Sequence, residues 1–235
     1  MNFSDAIFLD TETTTAGRRK DTTPLEVIEL AWAGIQSFEA PQPFGGQQRF
    51  LPKFPPQFGA IAVHHIFMSE LKECQPSSEA PSHVPPASYW IGHNIDFDWK
   101  ALGSPPVKRI CTLALARALW PGLDSHTLSA CVYYAFGTTA ETRERLRNAH
   151  SASHDVDFVI DILEVLFQHP KLAKCQTAED LWYISEWARV PTVWAFGKFE
   201  GLPISAADRG YAQWCRRQPD MDPYVIKALE REGLL

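Results

Sequence analysis

Two carboxylates separated by one residue close the first apolar run of the chain, where Ala6-Ile7-Phe8-Leu9 leads into Asp10-Thr11-Glu12. On a buried strand, the period of two puts Asp10 and Glu12 on one face, about 7 Å apart along the backbone. Like charges held that close raise each other's pKa unless a cation lies between them. A lone D-x-E is more often a strand end entering a polar loop, so the pair needs company from elsewhere in the chain. Asp98 ends the run His93-Asn94-Ile95-Asp96-Phe97-Asp98 at an expected strand-to-helix junction, where ligands gather at the carboxyl ends of strands. Asp155 ends His150-Ser151-Ala152-Ser153-His154-Asp155 at the start of the longest helical segment. Each of these acids taken alone fits a helix cap. Their joint occurrence, in this order, is much harder to reach by accident.

Other chemistries fit less well. His150 and His154 have the four-residue spacing of a helical metal pair, but no Glu follows His150 and no third soft ligand accompanies them, which argues against zinc. A two-carboxylate glycosidase would leave His150 and two acids without a role. Asp96 is an alternative to Asp98 as third acid.

The elements that must position these groups are legible from pattern. Residues 6–10 read as a strand, 25–35 as a second, and 48–51 as an edge strand in a stretch rich in Pro, Gly and Gln. Residues 60–66 begin a helix-turn segment, and 74–88 form a loop with four prolines. A buried strand over 87–92 feeds the Asp98 helix, and another follows at 107–111. Helices are expected over 112–120, 128–136 and 148–167. Strands first and helices alternating with strands afterwards predict an α/β fold, a mixed sheet flanked by helices. After Pro170 the texture changes: an amphipathic helix over 177–188, a turn-rich strand pair around 196–201, and two C-terminal helices. The predicted division is a first domain over 1–172 and a small α+β module over 173–235. Trp182, Trp187, Trp194 and Trp214 are expected to form the module's small core rather than a base-stacking platform.

The bulk numbers narrow the class. The chain has 235 residues, 22 Lys and Arg against 28 Asp and Glu, and a formal charge of −6. A broad nucleic-acid-binding face would usually make the protein basic, so any such contact must be local or mediated by metal. Arg18-Arg19-Lys20 and Arg143, Arg145 and Arg147 are short clusters that could steer phosphate, although a solvated loop serves as well. Five scattered cysteines and the lack of a basic leader-like N-terminus suggest reduced thiols in a cytoplasmic compartment. The most apolar segment, 158–167, is broken by Asp161 and Glu164, so no membrane association is expected.

Asp-x-Glu, then Asn-x-x-Phe-Asp, then His-x-Ala-x-x-Asp resembles the DEDD, or DnaQ-like, family of 3′→5′ exonucleases, which have a ribonuclease H-like fold. His150 stands five residues before Asp155, and Ser151 occupies the position where the sister subclass has Tyr, so the resemblance is to the histidine (DEDDh) subclass. Val63-His64-His65-Ile66 resembles the loop that borders the terminal nucleotide. The stretch from Ile110 to Gly122, together with Phe196-Gly197-Lys198-Phe199-x-Gly201 and Tyr211-x-x-Trp214, resembles the exodeoxyribonuclease-X-like branch, including its small C-terminal module.

The resemblance implies a hydrolase that releases nucleoside 5′-monophosphates from the 3′ end of DNA, single-stranded or at a duplex terminus, in DNA repair or end processing. It implies Asp10, Glu12, Asp98 and Asp155 as metal-binding catalytic acids, with Asp10 bridging two Mg²⁺ ions for which Mn²⁺ substitutes. Four converging carboxylates cannot all stay ionised without cations, and oxygen-only ligands favour these ions. It implies His150 as general base, a role that its near-neutral pKa suits. It implies Thr11, Thr13, His64, Asn94 and Phe97 on the substrate side. Within the superfamily, an RNA 3′→5′ exonuclease or a polymerase proofreading subunit is the alternative. From another class, the alternative is a non-catalytic nucleic-acid-binding protein.

Overall fold

The structure is a computed structural model that describes residues 2–17, 21, 23–38, 44–147 and 151–235. Its centre is β1 (Ala6–Thr13), seven of whose eight residues are buried. A strand covered on both faces is made of an apolar run rather than an alternation. β2 (Val27–Gly34) pairs antiparallel with β1, and β3 (Phe44–Leu51) antiparallel with β2. The two-residue β4 (Gln75–Pro76) lies parallel to β3. On the other side, β5 (Tyr89–Gly92) runs parallel to β1, and β6 (Lys108–Cys111) parallel to β5. The order β4-β3-β2-β1-β5-β6 makes the expected mixed sheet.

Helices flank it. α1 (Phe58–His64), α2 (Asp96–Ala101), α3 (Thr112–Leu119) and α4 (Leu128–Phe136) fall where the pattern placed them. α5 (Ala140–Leu146), capped by the Thr139 hydroxyl, was not anticipated. Its sequence, AETRERL, is too polar to carry an apolar stripe, and Arg145 holds it by pairing with Asp161 and lying over Phe136 and Phe158. α6 (Ala152–Leu166) buries Val156, Val159, Leu163 and Leu166 at helical spacing and packs on β1, β2 and β3. β3 is longer than the edge strand read from sequence, and the loop over 74–88 contains a 3₁₀ helix, Ser77–His83. Arg18-Arg19-Lys20 lies outside the described residues.

The chain forms two compact units, 1–185 and 186–235. The division falls inside α7 (Ala178–Ala188), later than the expected boundary after residue 172. The reason is local. The first turns of α7 are tied to β6: the Cys111 N–H donates to Ser185 Oγ at 2.9 Å, Lys108 Nζ pairs with Glu179 at 2.9 Å, and Lys108 also lies over the Trp182 ring. Trp182 therefore belongs to the first unit. The second unit holds α8 (Arg209–Arg216) and α9 (Pro223–Arg231). Its core is Trp194 with Ile204, Ala212, Cys215, Val225 and Leu229. The expected strand pair near 196–201 is instead a 3₁₀ turn, Gly197–Phe199, beside a single bridge between Val193 and Pro203. Of the four tail tryptophans only Trp194 is core, because Trp187 and Trp214 are about half exposed. Among the described residues, no helix is long and apolar enough to cross a membrane.

Candidate active site

β5 pairs with β1 only over Ala6–Phe8. The rest of β1 on that edge is left without a strand neighbour, and α2 covers it. Gly92, the last residue of β5, makes the turn possible: a Cβ there would sit 2.9 Å from the Leu9 carbonyl oxygen and 2.8 Å from Ile95. The chain then passes through Asn94 at φ 71°, a left-handed conformation that Asn tolerates better than most side chains. α2 delivers Asp98, which is 3% exposed, to the uncovered edge. Asp98 Oδ1 accepts both the Thr11 N–H at 2.9 Å and the Thr11 hydroxyl at 2.7 Å. A strand N–H that has no partner strand is thus satisfied by the acid itself.

On one face of the sheet, α6 brings Asp155 over β1 from its first turn. Ligand atoms of Asp10, Glu12 and Asp155 all lie within 4.8 Å of one another. Burial pushes Asp10 well above the ordinary carboxylate range, and the charges of Asp98, Asp155, Glu12 and Glu29 push it further. Burial, then Asp155, Glu29 and Asp98, raise Glu12 to about 9. Burial raises Asp98 to about 7 against the opposing hydrogen bonds from Thr11. These shifts describe a site that resists ionisation unless positive charge enters it. Three clustered carboxylates and a fourth acid beside them are a donor set suited to hard divalent cations.

The remaining sequence-based candidates separate clearly. Neither Asp96 nor Asp98 is in the three-acid cluster; Asp96 is half-buried and pairs with Arg109, whereas Asp98 is buried and hydrogen-bonded to Thr11, between Asp10 and Glu12. His150 lies outside the described residues. Thr11 and Thr13 are buried with their hydroxyls spent internally, Thr11 on Asp98 and Thr13 on the Thr15 carbonyl at 2.6 Å. Both hydroxyl protons are thus committed inside the protein, and the Thr11 pair holds Asp98 in place. His64 ends α1 almost fully buried. Its Nδ1 accepts the Ile66 N–H at 2.9 Å, so Nε2 carries the proton, and Nε2 finds no hydrogen-bond partner among the described residues. Burial lowers its pKa, with the Thr13 backbone partly offsetting this. Asn94 is exposed, and Phe97 is half-buried against Gly17. His93 is structural: Thr112 and the His126 carbonyl hold its two nitrogens, and burial pushes its pKa down to about 4. Arg145 and Arg147 are engaged in ion pairs with Asp161 and Glu144.

Glu29 is the site residue that pattern reading missed. It faces Glu12 across β1 and β2, and Arg49 faces Glu29 across β2 and β3. Residues directly opposite one another share a sheet face, so the three form one row beneath α6. Glu29 is fully buried. One oxygen accepts the Ala152 N–H at 3.0 Å, and the other accepts from Arg49 Nε at 2.8 Å. It satisfies the first N–H of α6 and so pins the helix that carries Asp155. The available signal was a carboxylate inside the otherwise apolar run Val27-Ile28-Glu29-Leu30-Ala31, since a buried charge is kept only with partners.

With this geometry in hand, comparison with known proteins is informative. No protein-family model matches the chain. The chain is 26% identical over 195 residues to exodeoxyribonuclease 10 of Escherichia coli (strain K12), covering 80% of this chain and 83% of that protein. Among solved structures, it resembles exonuclease X in complex with 5′-overhanging duplex DNA, with TM-score 0.57 and 22% identity over 77% of this chain and 99% of that one. It also resembles exonuclease I, with TM-score 0.60 and 14% identity over 98% of this chain and 67% of that one. A zinc-bound complex of E. coli exonuclease I with single-stranded DNA matches with TM-score 0.55 and 16% identity over 80% of this chain and 43% of that one. The mixed sheet and its helices are thus the ribonuclease H-like exonuclease fold.

Proposed function

We propose that this chain, a homologue of exodeoxyribonuclease 10, is a metal-dependent 3′→5′ exodeoxyribonuclease of the DEDDh type that releases nucleoside 5′-monophosphates from DNA. The observation that carries the reading is the meeting of Asp10, Glu12 and Asp155 within 4.8 Å, with buried Asp98 beside them.

In this reading Asp10, Glu12 and Asp155 hold two Mg²⁺ ions, with Mn²⁺ as a substitute, and Asp98 supports the second ion. The bound cations supply Lewis acidity to the attacking water and the departing oxygen. The chain's own residues do the rest. His150 accepts the proton of the attacking water. The water oxygen bonds to the scissile phosphorus, the P–O3′ bond breaks with its electron pair going to O3′, and O3′ takes a proton from solvent, so that the shortened strand ends in a 3′-hydroxyl. Thr11 fixes Asp98 with two hydrogen bonds. Glu29 fixes the start of α6 and with it Asp155. His64, Asn94 and Phe97 flank the 3′-terminal nucleotide. The first unit is the catalytic domain, and the exonuclease-X-like module lies mainly in the second. Five unpaired thiols fit a reducing, cytoplasmic setting and a role in DNA repair or end processing.

The test is digestion of 3′-labelled DNA, with an RNA strand of the same sequence alongside, in Mg²⁺, in Mn²⁺ and in chelator. Release of labelled nucleoside 5′-monophosphate from DNA only when metal is present supports the reading. Metal-independent release, or digestion of RNA alone, contradicts it.

A further inference from the structure

We infer that the outward face of α8 is a binding surface for single-stranded DNA, separate from the acidic centre. This inference takes its substrate from the proposed exodeoxyribonuclease reading. α8 turns Ala212 and Cys215 into the core of the second unit. At 100° per residue, Arg217 lies opposite this buried pair, Arg209, Gln213 and Trp214 fall within about 90° of it, and Arg216 lies nearer Ala212, at the edge of the exposed arc far from Trp214. All five are exposed. The helix Arg209–Arg216 contains no acid, and among the described residues no acidic side chain pairs with Arg209, Arg216 or Arg217. Lys198 in the same unit, by contrast, is matched to Asp208 at 3.0 Å.

A second feature points to the same ligand. Trp214 is 46% exposed and stacks on Tyr211, with ring centroids 5.3 Å apart and planes 23° apart. Tyr211 is held from behind by Phe199 and Trp194, so the stack is backed by the core. An indole supported on one face and open to solvent offers a surface on which a base can stack, and Arg217 beside it, with Arg209 and Arg216 further round the exposed arc, meets phosphates. A strand of DNA satisfies both features together. In a chain of formal charge −6 it also answers how an acidic protein holds an acidic polymer: three arginines without an acidic partner among the described residues gather on one short helix and its C-cap.

The test measures binding apart from chemistry. Full-length protein, R209Q/R216Q/R217Q and W214A are titrated against a long fluorescent oligothymidylate in chelator, where hydrolysis is off, across a salt series. Each is then assayed with Mg²⁺ on a trinucleotide, which has too few phosphates to fill the acidic centre and three arginine contacts together. The triple variant should bind more weakly by at least about tenfold, with the salt slope flatter by about 2, the size expected for three phosphate contacts on a single strand. W214A should lose roughly tenfold in affinity with an unchanged salt slope. Turnover of the trinucleotide should be unaffected in the triple variant, and both variants should keep the wild-type circular dichroism spectrum. Unchanged affinity and slope in the triple variant would overturn the inference. So would binding to phosphatidylserine vesicles without binding to the oligonucleotide. If the wild type binds through this face but hydrolyses nothing, the nuclease reading fails and the surface stands.

Discussion

The acidic centre around β1 and the basic face of α8 treat charge in opposite ways. At β1, four acids and Glu29 are crowded where water is scarce, and desolvation and repulsion act in the same direction on Asp10 and Glu12. On α8, three arginines stand in solvent, where each charge costs little and screens easily. The buried set is therefore coupled: each acid changes the others, and the fold must brace them with Thr11, Glu29 and Arg49. The exposed set is modular, and each arginine can be removed without repacking anything. A site that must concentrate a cation uses the first arrangement, and a surface that must hold and release a polymer uses the second.

The contrast is broken most easily at Asp10. Asp10→Asn should reduce exonuclease turnover by about 10³-fold or more, the scale of losing a preorganised charge-stabilising group. The same change should raise the Tm of the metal-free protein, because Asn avoids the cost, borne by an acid whose ionisation the folded site resists, of either taking up a proton or holding an unpaired charge there. Activity is read by release of 3′-label, and stability by calorimetry in chelator. A large activity loss with a lowered Tm would show that Asp10 is a structural acid instead.

The next effect is at Glu29, a brace rather than a ligand. Glu29→Gln keeps an acceptor for the Ala152 N–H and loses the charge pairing with Arg49. It should cost about 10- to 100-fold in activity, as for other partners that orient a metal ligand, and shift the metal concentration needed for half-maximal rate. Glu29→Leu leaves the Ala152 N–H buried without a partner and should lose a further 1–3 kcal/mol or about that in urea unfolding.

How much of this was legible in sequence follows the same division. The meeting of Asp10, Glu12 and Asp155, with Asp98 alongside on Thr11, was readable because strand and helix ends fix where such acids fall. The sheet, α3, α4 and α6 were readable because burial imposes period. Glu29 was obscured because its role depends on a register across three strands that no local window contains. α5 was obscured because a charged residue, Arg145, anchors it. Trp214 and Trp194 have the same residue type in the same module, and only packing decides that one is core and the other surface. The domain boundary moved because Ser185 and Glu179 hold the start of α7 to β6.

A smaller effect comes from pH. In the metal-free folded protein Glu12 is raised to about 9 and Asp98 to about 7, from ordinary values of 4.5 and 3.8. Between those limits the folded state binds more protons than the unfolded chain, so stability falls as pH rises. Tm measured in chelator should therefore decline from about pH 5 to about pH 9. Mg²⁺ should flatten the decline by stabilising the ionised acids, and a flat profile in chelator would mean that the acids are not coupled as described. The smallest expected effect is on the other side of the comparison: R209Q/R216Q/R217Q should change unfolding stability by no more than about 0.5 kcal/mol per substitution in urea titrations.

The most direct test of the central claim is a paired digestion of 3′-labelled single-stranded DNA by wild type and Asp10→Asn, with Mg²⁺ and with chelator. Labelled nucleoside 5′-monophosphate should appear only with wild type and Mg²⁺. Equal release by Asp10→Asn, or undiminished release in chelator, would contradict it.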